Sequence, residues 1–290
     1  MSASLPTLSA DVQARIAGLF VYPIKSCAGL ALSEAELTET GLDLDRAWMV
    51  VDTQGEFVSQ RELPRLALVQ VQLKWNEVIV RAPGMLSLHL QIDTVEAAAT
   101  VRVWDDVVPA YDMGNTAAQW FSDFLGQRLR LVRFDPDHRR LSSLQWTGGV
   151  EAPNQFSDGF PLLVASQASL DALNVRLVAS GQAPVGMDRF RPNIVLDGLQ
   201  AHDEDRLGAM QVQADAPVQL LPVKPCTRCS IPDIDPATAQ AGTGVGDTLQ
   251  AYRRNDKLGG ATTFGMNAIV QAGDGVVLRV GQAVTGSWAF

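Results

Sequence analysis

Short apolar segments, each interrupted by glycine or proline, run along most of this chain, and they limit its fold more than any other feature does. The 24 glycines and 15 prolines punctuate many short segments rather than a few long ones. A segment of roughly four to eight apolar or alternating residues suits a β-strand and is too short for an ordinary helix. The spacing therefore predicts a mainly β protein with some α-helix.

The first half of the chain carries the clearest strand pattern. Apolar residues from Leu86 to Ile92 alternate with polar ones, as in a strand with one buried face. The other candidate strands here are IAGLFVYPIK, RAWMVVD, LALVQVQLKW, EVIVRAP and TVRVW. After a flexible tail at residues 1–12, we interpret residues 13–130 as one domain, a β-barrel or a β-sandwich.

Two segments change to a helical period. The segment NTAAQWFSDFLG predicts a helix with Asn115 or Thr116 as its N-cap and Gly126 as its stop. A second helix follows the apolar strand FPLLVAS, with Ser166 as its N-cap. Its inner face carries Leu170, Leu173 and Leu177.

The second half then returns to strands. The segments that predict them are NIVLDG, AMQVQAD, VQLLPVK and GVVLRVGQAV. A stretch rich in Pro, Gly, Asp and Ser, residues 135–158, marks the boundary region. We therefore assign residues 131–290 to a second domain.

The charge of the chain excludes several classes of partner. A formal net charge of -9 disfavours nonspecific binding to a nucleic-acid backbone, so an anionic ligand would need a local basic pocket. No apolar run approaches the roughly 18 residues that cross a bilayer, and the N-terminal residues lack the features of a secretion signal. We expect a cytoplasmic protein that binds neither nucleic acid nor membrane.

The three cysteines are too few for a disulfide scaffold, which suits a reducing compartment. Cys226 and Cys229 form a C-x-x-C pair, a spacing found in zinc half-sites and dithiol redox centres. Neither Cys27 nor any histidine supplies a matching second pair for zinc. The strand-like, proline-containing surroundings also differ from the strand-to-helix setting of a thioredoxin-type motif.

Buried, inert cysteines remain an alternative for this pair. Arg228 lies between the two cysteines, however, and a neighbouring guanidinium favours a functional thiolate. A thiolate is a suitable ligand for a soft or high-valent transition metal.

Basic residues also occur inside otherwise apolar segments. Each of them alone is as well explained by a structural ion pair or by a place at a barrel end. Together with neighbouring hydroxyl and amide groups, they provide the donors that a phosphate-bearing cofactor needs. The residues in question are Lys25, Ser26, Arg46, Arg61, Arg191 and Asn193.

At these residues the chain resembles the two-part MOSC family, named for the C-terminal domain of molybdenum cofactor sulfurase. The motifs are VYPIKSCAGL, LDRAWMVVD with VSQRELPRL, FPLLVASQASLDALN, FRPNIVLDG and CTRCSIPDIDP, in this order. The resemblance spans roughly residues 13–285. The pattern is most similar to mitochondrial amidoxime-reducing components and to bacterial enzymes that detoxify N-hydroxylated purines.

The resemblance implies an N-terminal β-barrel-like domain, a MOSC β-barrel domain and a molybdenum-molybdopterin cofactor (Moco) between them. It implies that Cys229 is the metal ligand and the catalytic residue, with Cys226 as a neighbour. Asp235 is a candidate for proton delivery, but a solvated turn residue before Pro236 is the favoured interpretation. The residues matched to the pterin or its phosphate are Lys25, Ser26, Arg46, Ser166, Arg191 and Arg228, with Arg61 and Asn193 as supports.

The activity implied by the resemblance is two-electron reduction of N-hydroxylated compounds, such as amidoximes, hydroxylamines and N-hydroxylated bases. The sequence lacks the C-x4-C-x2-C signature of a ferredoxin-like domain. We therefore expect electrons from a separate partner, a ferredoxin- or flavin-type reductase. Two other functions remain open: a sulfur carrier with a persulfide on Cys229 or Cys226, and a carrier that hands on the molybdenum cofactor.

Overall fold

The computed structural model describes residues 11–289, which form a mainly β protein with four helices. The strands before the first helix are β1 Val12–Val21, β2 Leu30–Leu32, β3 Glu34–Thr38, β4 Gly41–Leu42, β5 Trp48–Val51, β6 Gln70–Lys74, β7 Glu77–Arg81, β8 Leu88–Gln91, β9 Ala97–Val103 and β10 Asp106–Asp112. The elements that follow, up to residue 197, are α1 Gly114–Leu125, β11 Arg130–Phe134, β12 Arg140–Leu141, α2 Leu144–Thr147, β13 Pro153–Asn154, β14 Leu162–Ser166, α3 Gln167–Ala179 and β15 Ile194–Asp197. The remaining elements are β16 Leu207–Val212, β17 Val218–Thr227, α4 Gly244–Tyr252, β18 Arg254–Asn255, β19 Ala261–Ala272, β20 Val277–Arg279 and β21 Ala283–Trp288.

Seven strands among the described residues close into a barrel, in the order β14-β15-β1-β21-β16-β17-β19. β19 pairs with β14 and completes the ring, and only the β14–β15 pair is parallel. Apolar side chains from alternate positions of these strands fill the interior, which leaves no sheet edge unpaired. The expectation of a β-barrel is confirmed.

A second group of strands lies beside the barrel. It consists of the four-stranded sheet β5-β11-β10-β9 and the three-stranded sheet β6-β7-β8. Helix α1 packs on this group through Phe121 and Phe124, which are almost fully buried. The helix ends at Gly126 as predicted, in the left-handed conformation.

The N-cap of α1 differs from the prediction. Met113 holds the N-cap position and makes no side-chain cap bond, whereas Asn115 and Thr116 lie inside the helix. Instead, Asp112 Oδ1 accepts a hydrogen bond of 2.7 Å from the backbone nitrogen of Gly114. The capping acceptor therefore comes from the end of strand β10, which supplies it before the helix begins.

The two cores do not follow the expected division at residue 130. Strand β1 lies in the barrel, where Ile16 and Leu19 share a core with Leu162 and Leu196 from the second half. Strand β11 begins at residue 130 and pairs with β5 and β10. The chain thus crosses between the two groups of strands near residue 45 and again after β11.

The expected tail falls mostly outside the described residues, since residues 1–10 are not described. The prediction is wrong at Val12, which pairs with Gly286 in β21 and is 4% exposed. Its side chain faces the barrel interior, and this burial fixes the start of β1.

The sequence patterns did not predict every element correctly. Strand β19 was missed because Gly265 and Asn267 interrupt its apolar run. Helix α4 was missed because its first turn contains two glycines, which are weak helix formers. The segment GVVLRVGQAV is not one strand but two, β20 and β21. No helix among residues 11–289 is long and apolar enough to span a membrane.

Candidate functional site

A cleft between the barrel and the neighbouring sheets gathers most of the predicted site residues. It is lined by residues that follow β1 and β5, by residues just before β14 and β15, and by the end of β17 and the loop after it, so distant parts of the sequence meet here. We call it the basic cleft, and its predicted residues are Lys25, Ser26, Arg46, Arg61, Arg191, Asn193, Cys226, Arg228 and Cys229.

Three of these residues have a backbone that residues other than glycine rarely adopt. Ser26, Arg46 and Arg191 have φ angles of 66°, 52° and 59°. This left-handed conformation costs on the order of 1 kcal/mol or more for such residues and persists where the surroundings impose it. Such backbone conformations are concentrated at functional sites. Here the three residues that adopt this conformation all line one cleft.

Two guanidinium groups share one aromatic ring. The central carbons of Arg46 and Arg191 lie 4.3 Å and 4.2 Å from the centre of the Tyr22 ring. Arg46 also donates to the carbonyl oxygen of Arg191 at 3.0 Å and forms an ion pair with Asp45. Burial, reinforced by the cation of Arg46, lowers the pKa of Arg191 to about 10. The arrangement holds two positive charges close together, with Asp45 as the ion-pair partner of Arg46.

Asn193 acts as a cross-link at the base of the cleft. Its side-chain oxygen accepts from the backbone nitrogen of Leu163 at 3.1 Å and from Arg46 at 3.2 Å. Its amide nitrogen donates to the carbonyl of Phe20 at 3.2 Å. Asn193 therefore fixes Arg46 against β14 and the end of β1.

Lys25 lies at the opposite wall and is almost fully buried. Its ammonium group donates to the carbonyl of Phe156 at 2.8 Å and to Asp158 at 2.5 Å. Burial lowers the pKa of Lys25 below its ordinary value, and the charge of Asp158 opposes that shift. Trp104 donates its indole N–H to the same Asp158 oxygen at 3.1 Å.

Arg61 lies at the mouth of the cleft. Its guanidinium stacks 4.7 Å from the ring of Trp104 and 6.0 Å from that of Phe57. The sequence analysis missed Asp158, Trp104 and Phe57, because an Asp in a loop and an exposed Trp at a hairpin turn have no distinctive pattern.

Cys229 is exposed in the loop after β17. The strand ladder ends just before it, where the backbone nitrogen of Arg228 donates to the carbonyl of Thr262 at 2.9 Å. The Arg228 guanidinium donates to Cys226 Sγ at 3.0 Å and to the carbonyl of Phe190 at 3.0 Å. Cys229 is therefore the cysteine of the pair whose sulfur has no hydrogen-bond partner among the described residues.

The third cysteine, Cys27, differs from the other two in its chemistry. Cys27 is fully buried, and burial raises the pKa of its thiol to about 12. A thiol in this state is inert as a nucleophile and as a metal ligand.

The structure does not bring Ser166 into the cleft. Its side chain is completely buried and accepts from the backbone nitrogen of Ser169 at 3.4 Å, as the N-cap of α3. Asp235 also lies outside the lining of the basic cleft, and its side chain accepts from Ala237 N at 2.9 Å in a turn. Both residues have local structural roles that account for their side chains.

Two buried nitrogen atoms indicate which kind of ligand the cleft suits. Arg191 Nη2 and Arg228 Nε are buried and have no partner among the described residues. An N–H of a charged group that lacks an acceptor costs roughly 1 to 3 kcal/mol or more, so an acceptor supplied by a ligand would remove this cost. The donor set therefore fits a ligand with anionic oxygen atoms beside the Cys229 thiol.

Two family models match successive parts of the chain. The model described as "MOSC N-terminal beta barrel domain" matches residues 13–128, and the one described as "MOSC domain" matches residues 151–285. The mitochondrial amidoxime-reducing component 1 of Mus musculus is 37% identical over 256 residues, which cover 83% of this chain and 72% of that protein.

The chain belongs to the MOSC family. The mitochondrial amidoxime reducing component 2 of Homo sapiens is 34% identical over 83% of this chain and 73% of its own length. The molybdenum cofactor sulfurase of Bos taurus is 28% identical over 82% of this chain, but over only 29% of its own length. The resemblance found in the motifs is thus confirmed. In this MOSC protein the barrel is completed by β1, which lies in the stretch matched by the N-terminal model.

Proposed function

We propose that this MOSC protein is a molybdenum-cofactor-dependent oxidoreductase that reduces N-hydroxylated compounds. The observation that carries the proposal is an exposed thiol, Cys229, beside buried guanidinium groups with unused N–H donors. A thiolate suits a high-valent transition metal, and guanidinium groups suit a phosphate. The relatives named amidoxime-reducing components support the reaction type.

The residues of the basic cleft divide into three roles. Cys229 would bind molybdenum through its thiolate. Arg61 and Asn193 would hold the neighbouring side chains in place, because they contact the rim and Arg46. The residues that would bind the pterin and its phosphate are Lys25, Ser26, Arg46, Arg191 and Arg228. Ser166 has no place in this set, since its side chain caps α3.

The cofactor, when bound, supplies two-electron oxygen-atom chemistry. The overall reaction consumes two electrons and two protons, and it converts an R–NHOH group into R–NH2 and water. The protein's own contribution is to bind the cofactor through a preorganised set of donors and to leave the face of Cys229 open to substrate.

The electrons would come from a separate ferredoxin- or flavin-type reductase. A cysteine-ligated iron–sulfur cluster takes four thiolates, whereas this sequence has three cysteines, one of them inert. All three are free thiols in the structure. We place the reaction in the cytoplasm, where free thiols persist.

A sulfur carrier is the second candidate. The contact of 3.0 Å between the Arg228 guanidinium and Cys226 Sγ would stabilise an anionic sulfur. The relative named molybdenum cofactor sulfurase supports this reading. A cofactor carrier without turnover is the third candidate, because an exposed Cys229 would also allow transfer.

Turnover separates the three functions. Protein from a host that makes the cofactor is reduced with a viologen dye, and benzamidoxime is supplied as substrate. We expect formation of benzamidine at a rate proportional to molybdenum content. Molybdenum without turnover would instead indicate a carrier, and sulfur released by cyanide without molybdenum would indicate a sulfur carrier.

A further inference from the structure

A second cavity also has Cys229 in its lining. It has a volume of about 260 Å³ and shares Arg228 and Cys229 with the basic cleft. We call it the acidic hollow, and its other lining residues include Asp233, Asp247, Gln250 and Thr262.

Helix α4 positions the two carboxylates of the hollow. Asp233 Oδ1 accepts from the backbone nitrogens of Val245 and Gly246 at 2.8 Å and 2.9 Å, which fixes the carboxylate at the start of the helix. Asp247 lies in the first turn of α4 and is exposed. Its side chain makes no hydrogen bond or ion pair among the described residues, so it is available to a ligand.

Cys229 therefore lies between surroundings of opposite charge. The basic cleft has five cationic side chains and one carboxylate, Asp158, whereas the hollow has two carboxylates and only the shared Arg228 as a cation. The terminal nitrogens of Arg228 point to partners of the cleft, Phe190 and Cys226. The hollow thus has a negative character next to the proposed metal ligand.

A larger cavity of about 640 Å³ lies nearby and could be considered for substrate. It shares Arg191 and Ile231 with the basic cleft, but Cys229 is not part of its lining. A substrate must reach the atom that reacts, and an anionic cofactor would occupy the basic side. The acidic hollow is lined by Cys229, so it offers a substrate access to that residue.

We propose that the acidic hollow is the substrate side of the site, and that Asp233 and Asp247 are specificity-determining residues that favour N-hydroxylated amidines over analogues whose reduced product is neutral. This inference rests on the proposed function and names the substrate preference of the same site. Two observations support it: both cavities are lined by Cys229, and the side chains that line them have opposite net charge.

The chemistry gives the carboxylates a reason to discriminate. An amidoxime, R–C(NH2)=NOH, takes up two electrons and three protons and gives the amidinium cation R–C(NH2)2+ and water. A hydroxamic acid, R–C(O)NHOH, takes up two electrons and two protons and gives a neutral amide and water. Positive charge thus develops only in the first reaction, and nearby carboxylates stabilise it.

Ligand binding tests the hollow without any cofactor. The probes are benzamidine, benzamide and benzoate, measured by calorimetry at low salt on wild type, Asp247→Asn and the control Asp137→Asn, which removes an exposed charge elsewhere. We expect benzamidine to bind most tightly and to weaken about fivefold in Asp247→Asn but not in the control, in line with an exposed ion pair. Equal binding of benzoate, or equal affinity in the two variants, would overturn the proposal.

Kinetics separates this inference from the proposed function. In molybdenum-loaded protein, we expect the ratio of kcat/KM for benzamidoxime to that for benzhydroxamic acid to fall about fivefold in Asp247→Asn and to stay unchanged in Asp137→Asn. Turnover with an unchanged ratio would leave the proposed function standing and refute the role of the hollow. Asp247-dependent benzamidine binding, in folded protein that contains no molybdenum although its host makes the cofactor, would support the hollow and refute the proposed cofactor.

Discussion

Two regions of the molecule bury polar atoms that have no partner, and they do so in different ways. In the basic cleft these atoms are the N–H donors Arg191 Nη2 and Arg228 Nε. In the second region, which lies between α3, α4 and the segment before β16, they include acceptors. We call this region the Glu204 cluster, and its partnerless atoms are both ring nitrogens of His202, Glu204 Oε1, Asp205 Oδ1 and Tyr252 Oη.

The difference lies in how each region can lose its charge. An arginine stays charged at neutral pH even where burial lowers its pKa to about 10, as for Arg191. Glu204 is fully buried, and burial raises its pKa to about 7, so a proton can neutralise it. Burial also lowers the pKa of His202 to about 4, which leaves that ring neutral. The arginines of the cleft therefore keep a positive charge, which suits an anionic ligand, whereas a proton can remove the charge of Glu204.

The largest expected effect is on metal retention. We expect Cys229→Ala to abolish molybdenum binding, because it removes the proposed ligand, and Cys226→Ala to keep most of it. Elemental analysis of both variants, purified from a host that makes the cofactor, checks this. Equal losses in the two variants would contradict the assignment of Cys229.

The next effect concerns the charge of the cleft. Arg191→Ala should weaken cofactor binding by on the order of 1.5 to 3 kcal/mol, since it removes a charge-assisted contact. Pterin content after dialysis measures the loss. Arg15→Ala is the matched control, because Arg15 is an exposed arginine paired with Asp197 on the barrel surface. Unchanged pterin content in Arg191→Ala would refute the need for an anion there.

The Glu204 cluster should respond to pH instead. The unfolded chain loses the Glu204 proton near pH 4.5, but the folded protein keeps it until about pH 7, because burial raises its pKa. The folded state binds more protons in this window, so its stability falls as pH rises from about 4.5 to about 7. Relative to Glu204→Gln, wild type should lose on the order of 3 kcal/mol over this range.

Urea unfolding of both proteins from pH 4.5 to pH 8 measures that difference. The comparison with Glu204→Gln is needed because the lowered pKa of His202 has the opposite effect on stability over part of this range. The Gln side chain can still accept from the Ser169 hydroxyl, which donates to Glu204 at 2.7 Å. A stability difference that is constant with pH would show that Glu204 does not titrate as described.

The smallest expected effect shows whether Ser166 has a structural role or binds the cofactor. Ser166→Ala should lower the free energy of unfolding by about 1 kcal/mol through loss of the helix cap, with no change in molybdenum content. Thermal unfolding and metal analysis of one preparation check both points. Loss of molybdenum in a folded Ser166→Ala variant would return Ser166 to the cofactor site.

The sequence predicted much of the cleft because its residues stand in motifs with unusual composition. Lys25, Arg46 and Arg191 are charges inside apolar segments, and Cys229 follows Arg228 in a C-x-x-C pair. Ser166 also stands in a matched motif, but a serine after a strand has a second use as a helix cap, and that use is what the structure shows. A motif alone does not distinguish a cap from a ligand-binding hydroxyl.

Other features depend on contacts that the sequence does not display. The apolar segment IAGLFVYPIK predicted the strand β1, but not that this strand would pair with β15 and β21 in the second half. Asp158 is an ordinary loop residue until folding places it 2.5 Å from Lys25. Likewise, Asp247 gains its importance from the position of α4 next to Cys229.

The most direct test of the account is the molybdenum and pterin content of the wild-type protein, expressed in a host that makes the cofactor. We predict close to one molybdenum atom and one pterin per chain, measured by elemental analysis and by the fluorescence of the oxidised pterin. Folded protein that contains neither metal nor pterin would contradict the assignment of the basic cleft as a cofactor site.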